Sequence, residues 1–349
     1  MEPCGVVFSE FHTNGDRSHK HDSHFESSGE KGIIVQVLKA DAQGRLVVCT
    51  VKQGGQAPDR VEVRVKAAGV NRADLLQLAG HYPPPPGASE IPGLEVAGVV
   101  ARDQGPWHRG QRVMALLDGG GYADRVWVPQ GQLMPLPDNL DYIQGAAIPE
   151  AFLTAYQALM TIGDLAAGER LLIHAGASGV GSAALQLGRL LGAEVTITCG
   201  SNDKAAFCRG LGADRAINYR AGDWWQGLEE QDLILDMVGG SYLDPNLRSL
   251  ALDGRIVTLA MQGGRHGQLD FARLLAKRAT LTGSTLRNRT SAYKARLVQR
   301  FWRRFSDSFV SGELKPVVDS SYPWQQVAQA HRRMAANENR GKLILSLES

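Results

Sequence analysis

The pattern of apolar and polar positions changes abruptly near residue 32. Residues 1–31 are polar, rich in Ser, His and Glu, and lack apolar periodicity, which predicts a disordered extension outside the fold. Short runs then carry the two-residue period of strands: residues 32–38, 46–51 and, with strict alternation, 60–66. Residues 71–78 read as a short helix, and Tyr82 leads into the stiff polyproline turn 83–86. Strands resume at 95–100 and 112–116, and a glycine turn at 119–121 opens another that ends at 128. A helical stretch over 142–162 bridges to a different rhythm, in which helix-period segments alternate with strands at 171–175, 195–199, 216–218, 233–236 and 255–259. Such alternation predicts a parallel sheet with right-handed crossovers. A basic amphipathic helix over 293–305 and a final strand over 341–347 follow.

The pattern divides the chain into the tail 1–31, a β-rich, barrel-like part over 32–153, a doubly wound α/β part over 154–290, and a segment 291–349 that returns to the first part. A length of 349 residues suits two domains.

One junction carries chemistry. The apolar run 171–175 meets Gly176, Ser178, Gly179 and Gly181, and a helix pattern through Ala183, Leu187, Leu190 and Leu191 follows at once. A turn of this kind lets backbone N–H groups at a helix N-terminus approach a pyrophosphate with no Cβ in the way. A bare G-x-G-x-x-G is weak and this one is imperfect; the strand before it and the helix after it make the signal. The next strand ends at Cys199-Gly200 without the acidic residue that binds a free ribose 2′-hydroxyl. Ser201 and Lys204 stand there instead, and they suit a 2′-phosphate. The expected cofactor is NADPH.

Composition narrows the setting. Hydrophobic residues make up 43% and charged residues 21%, values of a water-soluble globular protein. A net charge of +2 argues neither for nor against an anionic partner. Cys4, Cys49, Cys199 and Cys208 are scattered without a C-x-x-C pair, so neither a disulfide framework nor a structural zinc motif is expected, and a reducing cytoplasm is the default. No apolar run reaches membrane-spanning length and no signal peptide is visible. His12, His19, His21 and His24 lie in the tail, where a disordered extension outweighs a metal site.

Several ordered landmarks carry a resemblance: residues 68–74 (Ala-Gly-Val-Asn-Arg-Ala-Asp), 80–87 (Gly-His-Tyr and four prolines, then Gly), 91–98, 147–156, 174–181, Asn218-Tyr219 and 339–342. From residue 32 onward the chain resembles the medium-chain dehydrogenase/reductases. Within them it is similar to the zeta-crystallin-like NADPH:quinone oxidoreductases, in the tumour-suppressor-inducible branch that shares the Ser-Gly-Val-Gly turn. The resemblance implies an α/β fold: a Rossmann-type doubly wound parallel sheet plus a β-rich GroES-like catalytic domain. It also implies a homodimer.

The zinc alcohol dehydrogenases of that superfamily carry Gly-His-Glu where this chain has Gly93-Leu94-Glu95, and a ligating Cys where it has Asn71. Leu94 cannot bind a metal, so hydride transfer without a Lewis acid is expected. The resemblance implies catalytic-cleft positions for Asn71, Asp74 and Tyr82. The residues alone favour a turn, a helix cap and a rim aromatic. For the cofactor it implies Thr154, Met261, Gly263 and Leu286, with Tyr82, near the nicotinamide. Ser178, Gly179, Val180 and Gly181 fall at the pyrophosphate, Ser201, Lys204 and Tyr219 at the 2′-phosphate, and Asn339 reaches in from the C-terminal segment. The expected acceptor is a quinone, reduced by two-electron or one-electron steps. The alternatives are an enone or enoyl-thioester reductase, and an RNA-binding or structural protein of the crystallin type. Lys294, Arg296, Arg300, Arg303 and Arg304 form a basic helix that could track phosphates, but a solvated basic face is the simpler reading and a nucleic-acid partner is not expected.

Overall fold

A computed structural model describes residues 33–41, 43–53 and 58–347; the expected tail, with its histidines and Cys4, lies outside the described residues. The chain begins with a hairpin of β1 (Ile33–Ala40) and β2 (Leu46–Gln53). Next come β3 (Arg60–Val70), α1 (Arg72–Leu78), β4 (Glu95–Val100), β5 (Arg112–Leu116), β6 (Arg125–Pro129) and β7 (Leu133–Pro135). β3 is the hub: it pairs antiparallel with β4 and with β6, and on its far half with a strand from the chain's end.

The helical stretch expected over 142–162 is three pieces. α2 (Tyr142–Gly145) starts at a reciprocal cap between Asp141 and Gln144, and α3 (Pro149–Tyr156) has proline at its first position, where the missing N–H costs nothing. A π-helical turn over Gln157–Ile162 ends it, with Gly163 N–H donating to the Ala158 carbonyl at 2.9 Å.

The parallel sheet is built from β8 (Arg170–Ile173), α4 (Gly179–Leu190), β9 (Glu194–Cys199), α5 (Asn202–Gly210), β10 (Arg215–Asn218), β11 (Gln231–Asp236), α6 (Leu243–Ser249), β12 (Leu250–Thr258), α7 (Phe271–Lys277) and β13 (Thr280–Gly283). Its spatial order is β10-β9-β8-β11-β12-β13, and every pairing is parallel. The order reverses between β8 and β11, the doubly wound arrangement expected from the alternating pattern. Leu171, Leu172 and Ile173 of β8 and Leu233, Ile234 and Leu235 of β11 are fully buried, because helices cover both faces. Trp224 belongs to this core: its ring meets His174 edge-on at 4.7 Å and lies 5.2 Å from Tyr242.

The last segment turns back. α8 (Ser291–Ser311) presents Leu297, Val298, Phe301, Phe305 and Phe309 to the core, and Phe152 and Tyr156 of α3 meet these rings at 5.0–6.3 Å. Arg296, Arg300, Arg303 and Arg304 face solvent. Lys294 departs from the basic face read from the sequence: it is fully buried, paired with the Asp118 carboxylate and donating to the Arg287 carbonyl at 2.6 Å. Its helical position falls on the apolar stripe, so its charge needs a buried partner. Then β14 (Val318–Pro323), α9 (Val327–Ala335) and β15 (Lys342–Ser346) complete the first sheet, with β15 antiparallel to β3 and β14 on its outer side. No helix among the described residues is long and apolar enough to cross a membrane.

Phe301 is the ring that α3 and α8 share. Phe301→Ala should destabilise the protein by about 3–5 kcal/mol through loss of burial and a residual cavity, read as a lower midpoint in urea unfolding.

Candidate functional site

A cleft of about 920 Å³ opens at the C-terminal ends of the parallel strands, where an open α/β sheet binds ligands. Ala175 and Ala177 beyond β8, Gly200 beyond β9, Met237 and Val238 beyond β11 and Leu259–Gly263 beyond β12 form one wall. Val70, Asn71, Tyr82, Leu94 and Thr154 form the other.

The glycine turn packs closely on the sheet. A Cβ on Gly176 would fall 2.5 Å from the Ile197 Cβ, so only glycine lets this turn lie against β9. Ser178 caps α4, its Oγ accepting from Gly181 N–H at 3.0 Å. Ser178, Gly179 and Val180 line the cleft, which therefore receives the positive end of a twelve-residue helix. Gly181 does not line it. Gly181 lies one turn beneath, where a side chain would strike the Ala175 carbonyl, so its contribution is close packing of helix on strand.

At the outer end, Ser201 caps α5 by accepting from Lys204 N–H at 3.2 Å. Lys204 Nζ donates to the Asn337 carbonyl at 2.6 Å, and burial holds its pKa below the usual lysine value. Tyr219, Arg220 and Arg340 stand around this pair, and a Cβ on Gly200 would meet the Tyr219 hydroxyl at 2.8 Å. Asn339 closes a turn by donating to the Gly341 carbonyl at 2.8 Å. Met261 is more than half exposed on the rim, Gly263 N–H donates to the Val238 carbonyl at 2.7 Å, and Leu286 is buried against the cleft floor.

The inner end rests on a buried ion pair. Lys342 Nζ lies 2.5 Å from Glu95 Oε1 and donates to Asn71 Oδ1 at 2.5 Å and to the Val70 carbonyl at 3.1 Å. Asn71 Nδ2 donates to Glu95 Oε1 at 2.9 Å, and the Glu150 N–H to Glu95 Oε2 at 2.8 Å. Asn71 is thus in the cleft wall with both ends of its amide engaged. Tyr82 lines the cleft too, under the Arg287 guanidinium, whose carbon is 5.3 Å from the ring centre. Burial, then the nearby Glu150 charge, makes its phenol a weaker acid. Arg287 donates to the Asp118 carbonyl at 2.8 Å, to Gln77 Oε1 at 2.7 Å and to the Tyr82 carbonyl at 3.4 Å, so it ties the segment beyond β13 to α1 and to the residue that precedes the prolines.

Asp74, expected beside the cleft, does not reach it. It is fully buried beneath α1, accepting from Asn71 N–H at 2.7 Å, Gly93 N–H at 3.0 Å and Tyr122 Oη at 3.0 Å. It is the cap partner of Asn71, and three donors satisfy the carboxyl. Burial nonetheless lifts its pKa to about 6. His331, 3.1 Å from the same Tyr122 hydroxyl, is pushed down to about 4 by burial.

Sequence reasoning passed over Glu95, Glu150, Arg287 and Lys342. A signal existed for two of them. Glu95 heads the apolar run Val96–Val100 and Lys342 the run Leu343–Leu345, and a charge on a buried strand requires a partner. Which charges pair cannot be read from positions so far apart along the chain.

Removing one partner of this pair strands the other. Lys342→Met should cost about 3–5 kcal/mol, and the double variant Glu95→Gln/Lys342→Met should recover part of that loss. Urea midpoints of the two single variants and the double variant check the coupling.

Residues 57–138 match the family described as the alcohol dehydrogenase GroES-like domain, and residues 211–345 the zinc-binding dehydrogenase family. The chain is 31% identical over 310 residues to the synaptic vesicle membrane protein VAT-1 homolog of Rattus norvegicus, covering 82% of this chain and 77% of that one. It is 30% identical over 299 residues to the quinone oxidoreductase of Homo sapiens, covering 82% and 89%. Among solved structures, a quinone oxidoreductase of Pseudomonas syringae pv. Tomato DC3000 superposes with a TM-score of 0.78 at 28% identity, covering 90% of this chain and 99% of that one. The paired sheets, the cleft at the switch point and these likenesses agree: the chain belongs to the medium-chain dehydrogenase/reductase superfamily, oxidoreductases that use a nicotinamide cofactor, and quinone oxidoreductases are among its relatives.

Proposed function

We propose that the protein is an NADPH-dependent, zinc-independent reductase of quinones. The observation that carries this reading is the pairing of two cleft features. Lys204 and Ser201 stand beyond β9 where an acid would hold a free ribose, and Leu94 stands in the wall where a histidine would hold zinc. Glu95 beside it is bound to Lys342 and Asn71, and no group of three His, Cys, Asp or Glu side chains suited to a metal occurs among the described residues. An electron-poor quinone suits such a site, since it accepts hydride without a Lewis acid. The quinone oxidoreductase relative supports the same acceptor class.

The residues present fit the cofactor. The α4 N-terminus with Ser178, Gly179 and Val180 suits the pyrophosphate, and Gly176 keeps the turn low enough for close approach. Lys204, Ser201, Tyr219 and Arg220 suit the 2′-phosphate. Thr154, Met261, Gly263 and Leu286 border the nicotinamide region, and Asn339 shapes the wall from the C-terminal side. When bound, the cofactor supplies hydride. The chain's own work is to position the acceptor between Tyr82, Leu94 and Leu286, to offer the Tyr82 hydroxyl as a hydrogen-bond donor, and to exclude water from that end. Asn71 orients Lys342 and Glu95 from within the wall, and Asp74 holds Asn71.

We further infer a homodimer formed along β13. It is an edge strand, and Phe271, Leu275 and Leu281 at or beside it are exposed, with Leu275 at 75%. An apolar sheet edge invites a second copy.

Purified protein should oxidise NADPH with ortho- and para-quinones, unaffected by chelator, and use NADH poorly; nicotinamide absorbance follows the reaction. Lys204→Ala should raise the NADPH dissociation constant about tenfold or more and leave that of NADH nearly unchanged. Reaction with enones alone would move the substrate to that class. Leu275→Asp should shift the mass in light scattering from dimer to monomer.

A further inference from the structure

Four ionisable side chains line the inner end of the cleft: Tyr82, Glu150, Arg287 and Lys342. Three are committed. Lys342 spends its donors on Val70, Asn71 and Glu95, Arg287 spends its own on Asp118, Tyr82 and Gln77, and burial makes the Tyr82 phenol reluctant to ionise. Glu150 differs. Its backbone is pinned, because its N–H donates to Glu95 Oε2 at 2.8 Å at the start of α3. The residue lines the cleft, and among the described residues its carboxyl has one hydrogen-bonding partner, the Thr154 hydroxyl at 3.4 Å. Among the described residues no cation is paired with it.

Arg287 and Tyr82 face Glu150 across the cleft, and charges on four packed elements act on it. Glu95 from β4 and Asp74 from α1 oppose its ionisation; Lys342 from β15 and Lys294 from α8 favour it, though each is already neutralised by a closer carboxylate. Burial is the largest influence, Glu95 adds to it, and the pKa is pushed up to about 7. A carboxylic acid still partly protonated at neutral pH, inside a cleft where a reduced acceptor must be protonated, has the properties of a general acid.

We propose that Glu150 is the proton donor of this cleft, delivering the proton that completes reduction of the acceptor. The proposal rests on the reductase reading above. Reduction of a quinone to a hydroquinone takes one hydride from the dihydronicotinamide cofactor, which brings two electrons and one hydrogen, and one proton. The hydride leaves one acceptor oxygen as an anion. The O–H bond of the Glu150 carboxyl then breaks, its electron pair stays on Glu150, and a new O–H bond forms on the acceptor. The carboxylate recovers a proton from water at the mouth of the cleft. Thr154, one helical turn along α3, holds the carboxyl in place through its hydroxyl.

The test uses the full-length protein and Glu150→Gln, which keeps the shape and removes the acid, with Glu150→Asp as the conservative partner. For the wild type, kcat/KM should be level below pH 7 and fall as pH rises above it, because the protonated form is the active one. Glu150→Gln should lower kcat about 100-fold or more and abolish that ionisation, while the NADPH dissociation constant measured by fluorescence stays within about twofold; Glu150→Asp should restore part of the rate. Independently of turnover, infrared titration of the cofactor-free protein should show a protonated carboxyl band that disappears near pH 7 and is absent from Glu150→Gln. A Glu150→Gln protein with wild-type kcat and an unchanged pH profile would overturn the proton role and leave the reductase reading standing. Wild-type protein that reduces no acceptor would overturn that reading and this proposal with it.

Discussion

The ion pair between Lys342 and Glu95 is the constraint on which the cleft is built. Both side chains are almost wholly removed from water, at 4% and 0% exposure, and a charge in that setting survives only with a full set of partners. The set is complete: Val70 and Asn71 take the remaining lysine donors, and Asn71 and the Glu150 N–H serve the carboxylate. Five residues from β3, the α1 cap, β4, α3 and β15 are thereby fixed to one another. Each element carries at least one residue to the cleft or to its floor, so the geometry of the site follows from satisfying one buried charge.

The same floor explains how neighbouring carboxyls come to differ. Asp74, Glu95 and Glu150 lie close enough to influence one another. Glu95 has the lysine. Asp74 has three hydrogen-bond donors and no direct cation. Glu150 has one hydroxyl. Burial pushes Asp74 up to about 6 against its three donors and Glu150, with fewer partners, up to about 7.

Much of the fold was legible in the sequence because its signals are local. Strand period, helix period and the glycine turn between them specify the parallel sheet and the face that binds a ligand. Ser201 and Lys204 were legible because they sit in the first turn beyond β9, within reach of one another along the chain. The break of the helical stretch after Tyr156 was not, since the π turn reflects tertiary packing rather than a sequence signal. The cleft position expected of Asp74 is implied by the family resemblance and not by any local signal of its own. A helix turns a side chain through 100° per residue, and that rotation aims Asp74 at Gly93 and Tyr122 instead. Lys294 was assigned to a solvated face for want of its partner, since Asp118 is distant in sequence and no periodicity announces a cross-domain pair. Glu150 drew no notice for a similar reason: its property comes from Glu95 and from burial, neither of which a linear motif displays.

The pairing of β15 with β3 has a temporal side. Lys342 and the Val70 carbonyl it bonds are separated by 272 positions. A chain made from its N-terminus can assemble the parallel sheet and most of the first sheet while synthesis continues, but the β3 edge stays open and Glu95 lacks its cation until β15 has been made. During that interval a strand edge is exposed and a carboxylate is facing an unfinished apolar core. The cleft therefore closes only once β15 is in place, and a chain shortened before Lys342 would hold a formed parallel sheet beside a site that lacks its buried cation.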